Sequence, residues 1–147
     1  MSPGRPVAAL AAALLLGSLL NACGGEDYCA AVKEHQTELS DVTAAGSPSA
    51  LLEALPIFRD LEEQAPEDIR DDWHTFLDAL GELDGALRDA GVDPSSYDRK
   101  QIPEGVSAEE RVRIEAAAAG LTVPEVVQAF DSVQQQAKDV CHTPLSL

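Results

Sequence analysis

Hydrophobic residues recur at alternating steps of three and four along most of the chain, and this spacing places them on one face of an α-helix. The longest stripe lies between Pro66 and Gly91 and comprises Ile69, Trp73, Phe76, Leu80, Leu83 and Leu87. Another, in residues 26 to about 45, comprises Tyr28, Val32, His35, Leu39 and Val42. No segment alternates with the period of two that is typical of a half-buried strand. The pattern therefore predicts an all-α protein.

Turn residues divide the chain between these stripes. Gly46 ends the first helix, Ser47 is expected to cap the second, and Pro48 suits its first position because that position needs no N–H donor. The second helix is expected to carry Leu51, Leu55, Phe58 and Leu61 on one face. Pro56 lies inside this pattern, so we expect it to kink the helix or to delay its regular start.

The last third of the chain predicts a short Ala-rich helix and a longer final helix. Ser107 and Glu110 form a capping-box pattern that opens the Ala-rich helix, which is expected to end at Gly120. Thr122 and Glu125 repeat the pattern before a stripe of Val126, Phe130, Val133, Ala137 and Val140. We therefore expect four main helices in an up-down bundle, with the Ala-rich helix as an addition.

The first residues have the features of an export signal. Arg5 is the only charge before an uncharged run at residues 7–20. As a helix this run spans about 21 Å, less than the hydrocarbon core of about 30 Å, which indicates the hydrophobic region of a signal peptide. The run leads into Leu20-Asn21-Ala22-Cys23.

This tetrapeptide resembles the lipobox of bacterial lipoproteins. The resemblance implies a signal peptide at residues 1–22, a diacylglyceryl thioether on Cys23 with palmitate as a typical acyl chain, and a short linker at 23–27. Residues 28–147 would form the helical domain on the extracytoplasmic side of the cell membrane. The Ala-, Asp- and Arg-rich helical part is similar in style to small lipoproteins of high-GC actinobacteria. The alternative is an ordinary secreted protein with a chance cysteine after its signal.

The net charge indicates which partners are disfavoured, and the cysteine content predicts a disulfide. The chain has 10 Lys and Arg residues against 26 Asp and Glu, a net charge of −16, which disfavours nucleic acid and direct docking on an anionic membrane. Cys29 and Cys141 remain after lipidation. Since extracytoplasmic proteins keep disulfides, we expect one bridge between the first and last helices. A redox-active pair is the alternative, although such pairs are usually close in sequence.

Catalytic and metal-binding patterns are weak. Asp71 and Asp78 lie one helical turn on either side of His74, but the group lacks a second histidine and soft ligands. His35 is expected to be a boundary histidine bonded to a neighbour, or alternatively a pH-sensitive or ligand-binding group. The sequence contains no His-Glu-x-x-His, nucleophile-elbow or phosphate-loop motif. We expect no enzymatic activity, no cofactor and no metal.

The loop at residues 91–106 is the candidate partner contact. It is long for a helix connection, and in an up-down bundle it lies at the end away from the lipid, beside the turn near Gly46. Tyr97, expected to be exposed, is followed by Arg99 and Lys100, an adjacent basic pair in an acidic chain. These three residues predict a contact surface for a partner. The alternative is a flexible connector.

These observations favour a membrane-anchored envelope lipoprotein that acts as a binding or protein-interaction module. Its partner would be another protein or an envelope component. One alternative is a small-molecule binder with a pocket left by the Pro56 kink and by Gly81 and Gly85. Another is an acidic surface that binds cations.

Overall fold

A computed structural model describes residues 25–47 and 49–145, and this part of the chain folds into six α-helices and one 3₁₀ turn with no strand. The predicted signal peptide, Cys23 and Pro48 lie outside the described residues. The helices are α1 (Gly25–Ala44), α2 (Ala50–Glu53), α3 (Leu55–Gln64), α4 (Glu67–Asp89), α5 (Ala108–Gly120) and α6 (Pro124–Val140), and the 3₁₀ turn is Pro94–Ser96. The predicted all-α fold is confirmed.

Proline and glycine set the helix boundaries largely as predicted. Pro56 lies in the first turn of α3, so the predicted second helix is divided into the short α2 and a regular α3. At the end of α4, Gly91 adopts a left-handed φ of +68°. Its N–H donates to the Arg88 carbonyl, and the Val92 N–H donates to the Leu87 carbonyl at 2.9 Å. This pair of bonds is the Schellman arrangement, which favours glycine at the left-handed position.

Helix N-termini agree with the sequence only in part. The Ser107–Glu110 capping box is present at α5. The Ser47 hydroxyl does accept a backbone N–H, that of Ser49 at 3.2 Å, but α2 begins at Ala50, later than expected. The expected cap at Thr122 is wrong, because Val123 precedes α6 and makes no side-chain cap bond. The Thr122 hydroxyl instead donates to the Ala119 carbonyl at 2.8 Å, so this side chain closes α5 rather than opening α6.

The core is built around aromatic side chains that the predicted stripes supply. Trp73 and Phe58 are fully buried, with ring centroids 5.9 Å apart. The Phe76 ring packs edge-on against Phe58 at 5.5 Å and stacks on Phe130 of α6 at 4.4 Å. The Trp73 indole N–H donates to the Tyr28 hydroxyl at 3.2 Å and so joins α4 to α1. The longest predicted stripe thus places Trp73 inside the core.

The stripe of α6 ends differently from the prediction. Val126, Val133 and Ala137 are buried, but Val140 is 55% exposed. Cys141, one position later, is buried and completes the inward face. Covalent bonding to Cys29 holds this position inward, and Val140 is therefore rotated to the surface.

Contacts between helices define two ends of the bundle. Asp27 of α1 and the Gln64–Ala65 turn line one groove, and Cys29 is bonded to Cys141 nearby; we call this the disulfide end. At the other end the Ser49 hydroxyl donates to the Ser95 carbonyl at 2.7 Å, and we call this the loop end. The predicted position of the loop at residues 91–106 beside the turn near Gly46 is confirmed, and α5 and α6 both pack against α4.

Candidate functional site

The loop between α4 and α5 begins with a tightly bonded turn. The Asp93 carboxylate accepts from the Ser95 N–H at 2.9 Å and from the Ser95 hydroxyl at 2.8 Å. These bonds, together with the nearby Arg88 charge, lower the pKa of Asp93. The ionised Asp93 side chain thus accepts the Ser95 backbone N–H and stabilises the turn. Since Ser95 also bonds to Ser49, this part of the loop is fixed to the start of α2.

Tyr97 lies inside the protein, and the prediction that it is exposed is wrong. Its side chain is 7% exposed and belongs to the hydrophobic core together with Val92 and Val106. Burial raises the pKa of the Tyr97 hydroxyl above its ordinary value. This hydroxyl is buried and has no hydrogen-bond partner among the described residues. Tyr97 is therefore an anchor for the loop rather than a surface contact.

Arg99 and Lys100 are exposed on the chain that follows this anchor. The Asp98 carboxylate accepts from the Lys100 N–H at 2.8 Å and forms a second tight turn. The buried Tyr97 on one side and the Asp98 turn on the other fix the backbone that carries the basic pair. The two predicted basic contact residues are thus presented together at the surface.

Arg111 of α5 holds the last part of the loop. Its guanidinium donates to the Pro103 carbonyl at 2.6 Å and to the Val106 carbonyl at 3.2 Å. Hydrogen bonds from Ser107 also lower the pKa of Glu110 and strengthen the start of α5. The Arg111 contacts could not be predicted from the sequence, because they depend on how the loop folds back. With bonds at its start, middle and end, the loop is an ordered element of the fold.

The disulfide predicted from the cysteine count is present. Cys29 and Cys141 are bonded, with their Cα atoms 5.0 Å apart across a sequence separation of 112 residues. The bridge joins Cys29, near the start of α1, to the residue that follows α6. In the sequence, Cys29 is six positions after Cys23.

His35 is the bonded boundary histidine expected from the sequence. Its Nε2 lies 2.9 Å from the Asp60 carboxylate, and its side chain is 22% exposed. Asp60 also accepts from the Gln64 amide at 3.1 Å. The contact joins α1 to α3 and places His35 in a structural role.

His74 lies in a charged groove between α3 and α4. Its two ring nitrogens lie 3.4 Å from a Glu62 oxygen and 3.3 Å from an Asp78 oxygen, and its side chain is 69% exposed. Of the residues predicted to leave a small-molecule pocket, Gly81 lines this groove, whereas Pro56 and Gly85 do not. The groove has a volume of about 510 Å³. Most residues that line the groove are charged, and Leu77 is the apolar side chain among them. The predicted pocket is therefore an open, charged groove.

Neither a cluster that could hold a metal ion nor a helix long and apolar enough to cross a membrane is found within residues 25–47 and 49–145. Family models, curated proteins and solved structures were compared with the chain, and none of them matches it.

Proposed function

We propose that this protein is a lipid-anchored component of the bacterial cell envelope that acts as a protein-interaction module. The anchor is Cys23, on the strength of the lipobox-like Leu20-Asn21-Ala22-Cys23. The interaction surface is the loop end, and in particular the exposed Arg99 and Lys100.

One observation carries this proposal: an ordered loop with an exposed basic pair lies at the end of the bundle opposite the disulfide. The Cys29–Cys141 bridge joins the start of α1 to the end of α6, and Cys29 is six positions after the proposed anchor Cys23 in the sequence. The Ser49–Ser95 bond places the loop at the far end. A protein attached at Cys23 would therefore present the loop away from the membrane. Because the loop is already ordered before it binds, less conformational entropy is lost when the complex forms.

The structure changes the role of one residue in this proposal. Because Tyr97 is buried, the proposed partner contact consists of Arg99 and Lys100. Tyr97 packs in the core and anchors the backbone that carries them. Since the surrounding surface is strongly acidic, a partner that meets this basic pair must present its acidic groups locally.

Cross-linking in intact cells tests the interaction surface. A photo-reactive group at Gln101, which is exposed beside the basic pair, should capture a partner in wild type. Capture should fall at least tenfold in Arg99→Ala/Lys100→Ala. The matched control is Lys33→Ala/Arg59→Ala, which removes two exposed bases from α1 and α3. Equal capture by both double variants contradicts the proposal.

The α3–α4 groove favours a second candidate function, the binding of a small organic cation. Gly81 leaves open space in it, and its acidic lining residues outnumber the one Arg, Arg59. The acidic residues are Glu62, Glu63, Asp78 and Glu82. Calorimetric titration with 1,4-diaminobutane tests this candidate. Binding that is lost in Glu62→Gln/Asp78→Asn supports it, and the absence of heat at millimolar concentration rejects it.

A further inference from the structure

The loop between α4 and α5 is bonded to the helices at both of its ends, and its middle part is attached through one buried side chain. Near the start of the loop, the Ser49 hydroxyl donates to the Ser95 carbonyl at 2.7 Å. Near its end, the Arg111 guanidinium donates to the Pro103 carbonyl at 2.6 Å. Residues 97–101 lie between these two bonds, and we call them the strap.

Tyr97 is the buried residue of the strap. Its side chain belongs to the hydrophobic core, whereas Asp98 is half-buried and the next three residues are exposed. The Asp98 carboxylate accepts from the Lys100 N–H at 2.8 Å, and the Asp98 carbonyl accepts from the Gln101 N–H at 2.9 Å. Both bonds lie within the strap, so they do not attach it to the bundle. Removal of the Tyr97 side chain from the core is therefore the step that frees the strap.

The chain on either side of the strap has contacts of its own. The Tyr97 N–H donates to the Pro94 carbonyl at 3.2 Å, within the 3₁₀ turn that precedes the strap. After the strap, the Ile102 side chain packs against the core. These contacts do not depend on where the Tyr97 ring lies. A movement of the strap can therefore leave the two ends of the loop in place.

The closed position of Tyr97 combines a favourable and an unfavourable contribution. Burial of the aromatic ring favours it. The hydroxyl opposes it, because this group is buried without a hydrogen-bond partner among the described residues and would bond to water in an open strap. Such a hydroxyl raises the open fraction by roughly 5–150-fold relative to a side chain that lacks it. The Tyr28 hydroxyl, which accepts the Trp73 N–H, has no such effect.

We propose that Tyr97 is a releasable anchor and that the strap opens while the rest of the bundle stays folded. In the closed state, the strap presents Arg99 and Lys100 on a fixed backbone. In the open state, Tyr97 reaches water and the two basic residues move with the strap. A partner that binds the closed state suppresses opening. This regulation of the basic pair rests on the function proposed above, whereas the opening itself requires neither a partner nor the lipid anchor.

Limited proteolysis with trypsin tests the opening. Trypsin cuts after Arg99 and Lys100, and it needs an extended segment that the closed strap does not offer. The protein is the full chain carrying Cys23→Ser, without denaturant, and mass spectrometry identifies the bonds that are cut. Because cleavage follows the open fraction, Tyr97→Phe should slow cleavage in the strap about fivefold or more.

Tyr28→Phe is the matched control, since it removes a hydroxyl from a buried tyrosine outside the strap. Strap cleavage in this variant should stay within twofold of wild type. Nitration by tetranitromethane gives a second readout, because Tyr28 and Tyr97 are the two tyrosines of the chain. In the folded protein Tyr97 should be nitrated through the open state, while Tyr28 should stay unmodified.

Three results overturn the proposal. The first is strap cleavage in Tyr97→Phe that is as fast as in wild type. The second is faster strap cleavage in Tyr28→Phe, because cutting would then require unfolding of the whole domain. The third is protection of both tyrosines from nitration. The cross-linking experiment on the partner surface is decided separately, because trypsin and tetranitromethane act here without a partner.

Discussion

Two buried tyrosines allow the same chemical change to be made with opposite expected results. Tyr28 and Tyr97 are 0% and 7% exposed, and in each case Tyr→Phe removes one hydroxyl from the interior. The Tyr28 hydroxyl accepts the Trp73 indole N–H at 3.2 Å, whereas the Tyr97 hydroxyl has no partner among the described residues. The difference in stability therefore isolates the value of the bond.

The expected magnitudes follow from the cost of an unpaired polar group. Tyr28→Phe leaves the buried Trp73 N–H without its acceptor, and this should lower the free energy of unfolding by about 1–3 kcal/mol. Tyr97→Phe removes a hydroxyl that already lacks a partner. Its stability should stay within about 0.5 kcal/mol of wild type or increase, because a desolvated and unpaired group is lost.

Alkaline pH adds a second difference between the Tyr28 variant and wild type. Burial raises the pKa of Tyr28 from 10.0 to about 12, with a smaller opposing effect from the Trp73 bond. The folded protein therefore holds this proton more tightly than the unfolded chain. The resulting stability is complete below pH 10 and is lost as the pH rises through 12. The loss is about 1.4 kcal/mol at pH 11, and Tyr28→Phe should not show this component.

Urea unfolding followed by far-UV circular dichroism measures all three proteins at pH 7 and at intervals to pH 11. Tyr97→Phe removes another hydroxyl whose pKa is raised by burial, so its loss of stability in alkali should also be less steep than that of wild type. Equal destabilisation of both variants at pH 7 would refute the assigned bonding. So would a Tyr28→Phe protein whose stability falls between pH 10 and pH 11 as steeply as that of wild type.

Three further substitutions test the framework of the bundle. Cys29→Ala/Cys141→Ala should lower the free energy of unfolding by about 5 kcal/mol in the loop-entropy model while helicity persists, as measured by urea titration; an unchanged midpoint would remove the bridge from the account. Trp73→Ala should cost about 3–5 kcal/mol because it empties the centre of the aromatic cluster, and a wild-type melting curve would contradict this packing. Ser107→Ala should cost about 1 kcal/mol through loss of the capping box, whereas Thr122→Ala should cost less because Thr122 does not cap α6.

The sequence predicted the parts of the fold that local physics determines. The α4 stripe, its end at Gly91 and the Ser107–Glu110 box depend on residues within a few positions of one another, so periodicity and turn chemistry suffice. The pairing of Cys29 with Cys141 followed from their number and the inferred compartment.

Features that depend on tertiary packing were not predictable in this way. Tyr97 lies in a segment with turn residues and was expected at the surface, but packing of the loop against the core buries it. Thr122 has the sequence of a cap, yet the chain turns so that its hydroxyl meets Ala119.

The covalent state of Cys23 tests the proposed function most directly. Intact-mass spectrometry of the protein extracted from membranes should give a chain that begins at Cys23 and carries a diacylglyceryl group. Cys23→Ser should move the protein to the soluble fraction and abolish labelling by palmitate. A wild-type protein that retains residues 1–22, or that carries a free thiol at Cys23 and takes no palmitate, would contradict the account.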